Sequence, residues 1–420
     1  MPSLRRWLIS SLLATLGLAG CSSDAPPGER IASDKARVTK PNVPAEDFAA
    51  LVSGNTDFAA SLYRQVSKPG ENVLFSPHSI NQAFAMVYAG ARGDTESQMA
   101  QALHFTLPRE RLHPAVNALD LSLQARTEAK VEGGAPPTLR VVNAAWGQKG
   151  LAFESPFLDV LAQHYGTGMY AVDFTRKFES IREDINTWVE KQTMGRIQDL
   201  LQEGTVSRDT RLLLANALYF KGAWQEPFDE TGTREAPFHT LEGGTRQVQM
   251  MSATISVPLL EGAELDALAL PYKGEAFRML VLVPHEGRFA EVESRLSAEF
   301  LDGVRAGLRS SRVALGFPKF EVKQSFPLDE SLKALGMVDA FTPLADLSGV
   351  SRQEALFISA AQHQAFIAVD EQGTEAAAAT AIVGSVTSMP EPYVVDRPFL
   401  FLIEDVETRS VLFLGRIVNP

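Results

Sequence analysis

From Glu46 to Val66 the apolar positions Phe48, Leu51, Phe58 and Leu62 recur at helical spacing and predict an amphipathic helix. Asn72 to Ile80 reads differently: the apolar run Val73-Leu74-Phe75 meets Ser76-Pro77, and a helix follows through Phe84, Met86, Val87 and Ala89. Pro77 suits the first turn of that helix, where its missing N–H costs nothing, and Ser76 is placed to cap it. Gly93-Asp94-Thr95-Glu96 reads as a loop and a new helix start. Leu139 to Trp146 is valine-rich and predicts a strand with Asn143 inside it. Ile185 to Thr193 is helical and is ended by Met194-Gly195-Arg196-Ile197. Thr210 to Phe220 is apolar almost throughout except for Asn216, the pattern of a strand buried on both faces. An amide there needs hydrogen-bond partners, because leaving it unpaired costs about 1–3 kcal/mol.

From Phe238 onward strands take over: Gln247 to Met251, Leu265 to Pro271, Phe277 to Val283 and Val313 to Val322. Pro327 to Leu335 predicts a short amphipathic helix. Ala355 to Val369 reads as a helical turn leading into a strand that carries His363. Phe399 to Ile403 and Val411 to Leu414 form a hairpin around the polar turn Glu404 to Ser410. With helices in the first third and strands in the rest, the chain is a mixed α+β protein with one large domain, residues 46–420. One stretch resists assignment. Glu371-Gln372-Gly373-Thr374-Glu375 leads into Ala376-Ala377-Ala378-Ala379 and then Thr380 to Met389, before Pro390 and Pro392. Alanine favours helix, but Gly373 stands where a helix would start, and the residues after Ala381 turn small and β-branched. A segment whose local preferences do not settle its state is a candidate switch.

Composition narrows the classes. Hydrophobic content of 45% and charged content of 21% are those of an ordinary globular protein, and a net charge of −12 without a basic block argues against nucleic acid as partner. The chain's single cysteine, Cys21, follows two arginines and an apolar stretch, Trp7 to Gly17, that is too short to span a bilayer. Leu18-Ala19-Gly20-Cys21 resembles the bacterial lipobox. Residues 1–20 are then a lipoprotein signal peptide, Cys21 is the lipidated residue, and residues 21–45, polar with four prolines, are a flexible tether to a membrane. The expected location is an exported protein, lipid-anchored to the bacterial outer membrane or at the cell surface.

Catalytic chemistry is thin. There is no nucleophile elbow, zinc-binding His-Glu-x-x-His, phosphate loop or dinucleotide fingerprint, and the seven histidines have no ligand spacing. His363 with Ser76 or Ser79 is the only base–nucleophile combination to weigh, and mutual satisfaction of buried polar groups explains those residues better. No enzyme activity, metal or cofactor is expected.

Taken together, Asn72 to Ile80, Asn186 to Ile197, Ala215 to Gly222, Leu270-Pro271-Tyr272, Phe317-Pro318-Lys319-Phe320 and Arg397-Pro398-Phe399 through Pro420 resemble the serpin family, over nearly everything from Asp47 onward. The resemblance implies a fold of three β-sheets and about nine helices with an exposed bait loop. It also implies a mechanism: a protease acylated by the loop is carried along as the cut loop inserts into the largest sheet. Glu371 to Thr380 resembles the hinge of that loop. In a strand, Thr374, Ala376, Ala378, Thr380 and Ile382 would share the buried face, while Glu375 would fall on the other, where its charge stays solvated. Inserting about ten residues would release on the order of 10 kcal/mol, comparable with the stability of a protease. By resemblance, Ser76, Ser79, Asn216 and His363 match the polar cluster under the sheet that lets its strands part. Likewise Lys319 matches the ion-pair partner of Glu371, and Trp224 the residue packed where insertion begins.

In register with the family's loop length, the resemblance implies a scissile bond at Thr387-Ser388, with Val386-Thr387 and Ser388-Met389 as the neighbouring alternatives. No Lys or Arg occurs between Glu371 and Asp396, and no aromatic residue before Tyr393. The expected target is therefore an elastase-like or subtilisin-like protease rather than a trypsin-like one. Between His113 and Lys130 the only fixed cations are Arg126 and Lys130, so no polyanion cofactor is expected, and the protein is expected to be a monomer. The competing expectation is a non-inhibitory, serpin-fold binding or structural lipoprotein. The alanine-rich hinge argues against it.

Overall fold

The structure is a computed structural model that describes residues 25–375 and 390–420. Cys21, Ala376 to Ala379, Thr387 and Ser388 lie outside the described residues. In chain order the strands are β1 (Glu29–Ile31), β2 (Val73–Phe75), β3 (Thr138–Gln148), β4 (Met169–Val172), β5 (Leu212–Ala223), β6 (Arg234–His239), β7 (Thr245–Glu261), β8 (Leu265–Pro271), β9 (Phe277–Pro284), β10 (Arg309–Pro318), β11 (Phe320–Pro327), β12 (Ala360–Asp370), β13 (Gly373–Thr374), β14 (Glu391–Val394), β15 (Phe399–Asp405) and β16 (Val411–Ile417). The α-helices are α1 (Ala45–Val66), α2 (Pro77–Tyr88), α3 (Gly93–Ala102), α4 (Arg109–Glu128), α5 (Ser155–Val160), α6 (Phe174–Gln192), α7 (Phe289–Ser294), α8 (Ala298–Gly307) and α9 (Leu328–Ala334).

Two hydrogen-bonded sheets organise these elements. The first has seven strands in the order β1-β4-β3-β5-β13-β12-β11. The second has nine, β14-β10-β7-β8-β9-β15-β16-β2 with β6 on β7. The second and third sheets of the expected three are joined here by β7. That 17-residue strand pairs first with β6, then with β10, and at its far end with β8. The near-continuous apolar run of β5 accounts for its place: every residue from Leu212 to Phe220 is buried, as a central strand covered on both faces requires. One cover is the main core between the sheets, where Phe58, Phe75, Phe84, Phe220, Phe277 and Phe399 are fully buried. The other is α6, whose Ile185, Trp188 and Val189 pack on the outer face. There Trp188 meets Trp146 of β3 edge-on, ring centres 5.7 Å apart.

Ser76 caps α2 as its position predicts, accepting a hydrogen bond from the Ser79 N–H at 3.1 Å. Three sequence expectations need correction. Val313 to Val322 is not one strand: Pro318 ends β10 and the chain passes at Lys319 into β11, which belongs to the other sheet. Proline cannot donate to a ladder, which makes it a natural place for that transfer. Ala355 to Ser359 forms no helical turn but runs irregularly into β12.

The third correction concerns the tether. Residues 25–44 lie on the domain surface. β1 adds antiparallel to β4 at the sheet edge, and the Pro27 carbonyl accepts the Trp146 indole N–H at 2.8 Å. Arg37 donates to Asn117 and pairs with Asp120 of α4, Lys35 pairs with Asp159, and the Val38 N–H donates to the Gln163 carbonyl at 2.9 Å. Polar, proline-containing composition reads as a linker when it has no partner. Here the free edge of β4 and the shielded carboxylate of Asp120 supply partners that composition does not reveal. The Val38 amide and the β1 amides are therefore expected to exchange with deuterium far more slowly than a free tether would, and Arg37→Ala should speed exchange along 27–38. Exchange within the dead time of the wild-type measurement would contradict the docked segment.

Candidate functional site

β5 and β12 run parallel and side by side, with Ala360 opposite Leu213 through Phe366 opposite Tyr219. Above that seam the two strands diverge, and β13 sits between them. Gly373 lies opposite Ala223 and Asp370, and Thr374 opposite Gly222 and Val369. The first residues of the hinge are thus already part of the sheet. Thr374, expected as a position that would enter later, is fully buried, and its hydroxyl shares a 2.7 Å hydrogen bond with the Tyr272 hydroxyl. Gly373 has φ of +151°, and a Cβ there would stand 2.1 Å from the Gly222 carbonyl oxygen. Only glycine passes this gap.

The hinge is held on both sides of that pair. Lys319 contacts the Glu371 carboxylate at 2.7 Å, and the Thr233 hydroxyl donates to its other oxygen at 2.6 Å. Burial pushes the Glu371 carboxyl upward, but the ammonium and the hydroxyl outweigh it, and the net shift is downward. Asp370 accepts the amides of Gln372 and Gly373 at 2.9 and 3.1 Å and so forms the turn that feeds β13. Trp224 stacks on Tyr272 with ring centres 4.7 Å apart, donates its indole N–H to the Asp370 carbonyl at 3.0 Å, and takes the Gln372 carbonyl on its own amide.

Glu375 departs from expectation. Its side chain is only 4% exposed and pairs with Arg196 at 3.0 Å, in the turn that ends α6. Its φ of +52° turns the chain out of the strand after Thr374. Arg196 also lies over the Phe366 ring, and the Tyr219 hydroxyl is pushed up by burial and by this carboxylate. Glu375 thus lies just past β13, and the turn after α6 covers it, so in this arrangement the charge is paired rather than solvated.

The four polar residues matched to the sheet-opening cluster come together beneath the seam. His363 of β12 is directly opposite Asn216 of β5. The Ser76 backbone N–H donates to His363 Nε2 at 3.1 Å, which leaves the ring proton on Nδ1, facing Asn216 Oδ1. Ser79 Oγ donates to the same Asn216 oxygen at 3.0 Å, and the Asn216 amide donates to Asn143 Oδ1. Asn143 in turn donates to the Ser79 carbonyl and to Gln82 Oε1, each at 3.1 Å, and Gln82 donates to Asp120. His363 is wholly buried and burial pushes its pKa down to about 3, so the ring is neutral. Both ring nitrogens are engaged by Ser76 N–H and Asn216, which leaves no serine–histidine relay of the kind weighed for an enzyme. Among the described residues no group of three or more His, Cys, Asp or Glu side chains is placed to hold a metal ion.

Sequence reasoning placed Glu371, Lys319, Trp224, Ser76, Ser79, Asn216 and His363 where they meet. It missed Thr233, Tyr272, Arg196, Gln82 and the part played by Asn143. A signal existed for the last, since an asparagine inside a valine-rich strand needs buried partners just as Asn216 does.

A family model for serpins (serine protease inhibitors) matches residues 53–420. A leukocyte elastase inhibitor of Bos taurus is 37% identical over 88% of this chain and 99% of its own. The crystal structure of a thermophilic serpin, tengpin, in its native state superposes with a TM-score of 0.82 at 25% identity, covering 94% of this chain and all of that one. Thyroxine-binding globulin in complex with thyroxine superposes with a TM-score of 0.79 at 31% identity, over 88% of this chain and 99% of that one.

Two predictions arise from the geometry. Gly373→Ala should expel β13, seen as a shift in Trp224 emission and faster exchange of the Glu375 amide, which now donates to the Ala368 carbonyl; unchanged emission and exchange would contradict the close approach. For the seam, the unfolded chain binds a proton on His363 below the ordinary histidine pKa of about 6.5, whereas the folded ring does so only near 3. Stability therefore falls as pH drops through that window. Unfolding in urea should accelerate from pH 7 to pH 4, with a shallower dependence in His363→Gln that His78 and His113, also pushed down by burial, keep from vanishing.

Proposed function

Because the chain belongs to the serpin family, we propose that it is an irreversible suicide-substrate inhibitor of a serine or cysteine endopeptidase. The observation that carries this reading is Gly373–Thr374 seated between β5 and β12, at the mouth of the slot an inserting loop would fill. The protease nucleophile attacks the Thr387 carbonyl carbon, the bond to the Ser388 nitrogen breaks, and that nitrogen leaves as a free amine. The acyl-enzyme stays attached to the end of a strand that is now free at one side. Entry of Ala376, Ala378 and Thr380 behind Thr374 adds ladder hydrogen bonds and burial without a large or charged side chain to oppose it. β5 and β12 must part for this, and at His363 and Asn216 one side-chain hydrogen bond crosses the seam. The small, β-branched residues around Thr387 fit an elastase-like or subtilisin-like target. The protein acts without enzymatic activity of its own, metal or polyanion, as a monomer.

Residues 1–20 are read as a lipoprotein signal and Cys21 as the acylated residue, which places the inhibitor at the outer membrane or the cell surface. A second reading, a non-inhibitory binding module, draws support from the likeness to thyroxine-binding globulin. The hinge sequence, with no charged residue or proline from Ala376 to Ile382, weighs against it.

Incubation with elastase-like and subtilisin-like proteases should yield a complex that survives SDS, and N-terminal sequencing of the released peptide should place the cut within Val386 to Met389. Cleavage with full retention of protease activity would favour the second reading. Thr374→Arg should convert the inhibitor into a substrate, with the covalent complex lost and cleavage retained. Undiminished trapping by that variant would refute insertion.

A further inference from the structure

Strand register fixes the end of the body from which the N-terminal segment leaves. Gly373 and Thr374 mark one end of the seven-stranded sheet, beside Ala223 and Gly222 of β5. At the other end Leu212 of β5 is level with Gly147 of β3, Gln148 of β3 with Val172 of β4, and Glu29 of β1 with Ala171 of β4. β1 runs antiparallel to β4, so the chain enters the sheet from the end opposite the hinge. With 12 residues in β5, at about 3.3 Å each, the two ends are about 40 Å apart.

That far end is basic, in a chain of net charge −12. Lys149 follows β3, Arg176 and Lys177 open α6, and Arg208 precedes β5, all exposed. Lys149, Lys177 and Arg208 have no side-chain partner among the described residues, and Arg176 only a 4.0 Å approach to Asp173. Of the acids at this end, Asp173 is engaged by the Thr175 hydroxyl, Glu154 faces Arg352 and Glu354 faces Arg211, while Glu29 and Asp209 are the exposed counter-charges, fewer than the cations.

We propose that the docked segment is an orienting strap: it holds this basic end against an anionic phospholipid surface and directs the hinge end outward. The proposal rests on acylation of Cys21. Cys21 precedes Ala25 by four residues, a reach of at most about 14 Å at about 3.5 Å per residue, whereas a free segment from Cys21 to Ala45 would reach about 80 Å. Docking of residues 25–44 therefore converts a long, orientation-blind leash into a short one attached at a defined place. The cations there meet anionic headgroups within a Debye length, where such attraction is only partly screened. Bait and bilayer then lie at opposite ends of the molecule.

Acylation consumes the only native thiol, so one introduced cysteine can be labelled alone in the full lipidated protein. Ser207→Cys reports from the basic end, and Glu235→Cys from beside Thr233 at the hinge end. In phosphatidylethanolamine–phosphatidylglycerol vesicles carrying an acceptor-labelled lipid, energy transfer should be severalfold stronger from position 207 than from 235. Combining Ile31→Asp with Arg37→Ala, to undock the strap, should bring the two values together. Equal transfer from both positions in the otherwise native protein, or a difference that the undocked variant keeps, overturns the orientation. Fatty-acid incorporation that Cys21→Ala abolishes is measured alongside: its absence removes the anchor and the proposal with it, whereas equal transfer from an acylated protein removes the orientation alone.

Discussion

The pairing of β5 with β12 is the constraint on which the rest of the structure depends. Parallel ladders are somewhat weaker per residue than antiparallel ones, and this one lies between two antiparallel pairs, β3 with β5 and β11 with β12. Unlike β3 with β4, a parallel pairing of three residue pairs toward the sheet edge, it is long and central. Beneath it lies hydrogen-bonded polarity where a tightly packed apolar layer would otherwise hold the strands. Asn216 has both amide functions satisfied, and His363 is neutral with a defined tautomer. Networks of this kind are stable when complete and costly when half-broken. The seam is thus closed firmly at rest, and its resistance is concentrated at a few named atoms.

The hinge is shaped by the same seam. Where β5 and β12 diverge, a two-residue strand fits only because Gly373 has no Cβ and Thr374 is small enough to be buried against Tyr272. Lys319 and Thr233 hold Glu371 on one side, and Arg196 holds Glu375 on the other. The chain is pinned at two carboxylates with its neutral residues between them. It enters the sheet at the first and turns away at the second.

Much of this was legible beforehand because the signals were local. Pro77 after Ser76, Asn216 in an apolar strand and the hairpin of β15 and β16 each announce themselves within a few residues. The family motifs then brought distant pieces together, among them Lys319 with Glu371 and Ser79 with Asn216. What stayed hidden depended on contacts between remote segments. Arg196 reaches Glu375 across 179 positions of chain, and no periodicity reports such a meeting. The docking of residues 25–44 was hidden for a similar reason, since composition describes a segment by itself and says nothing of the free edge of β4 that receives it. The cover over Glu375 was hidden too, because the turn after α6 reaches it only in three dimensions.

The two hinge residues already in the sheet also set a phase. Side chains in a strand alternate with a period of two, and a slip of one position would exchange every inward residue for an outward one. A loop that had to find its slot afresh could start in either phase. This one has no such freedom: with Thr374 facing Tyr272, any residue that follows it in extended form inherits its parity from a contact made beforehand. In the proposed insertion, the small buried hydroxyl at Thr374 is in that sense the first tooth of a zipper, engaged in advance.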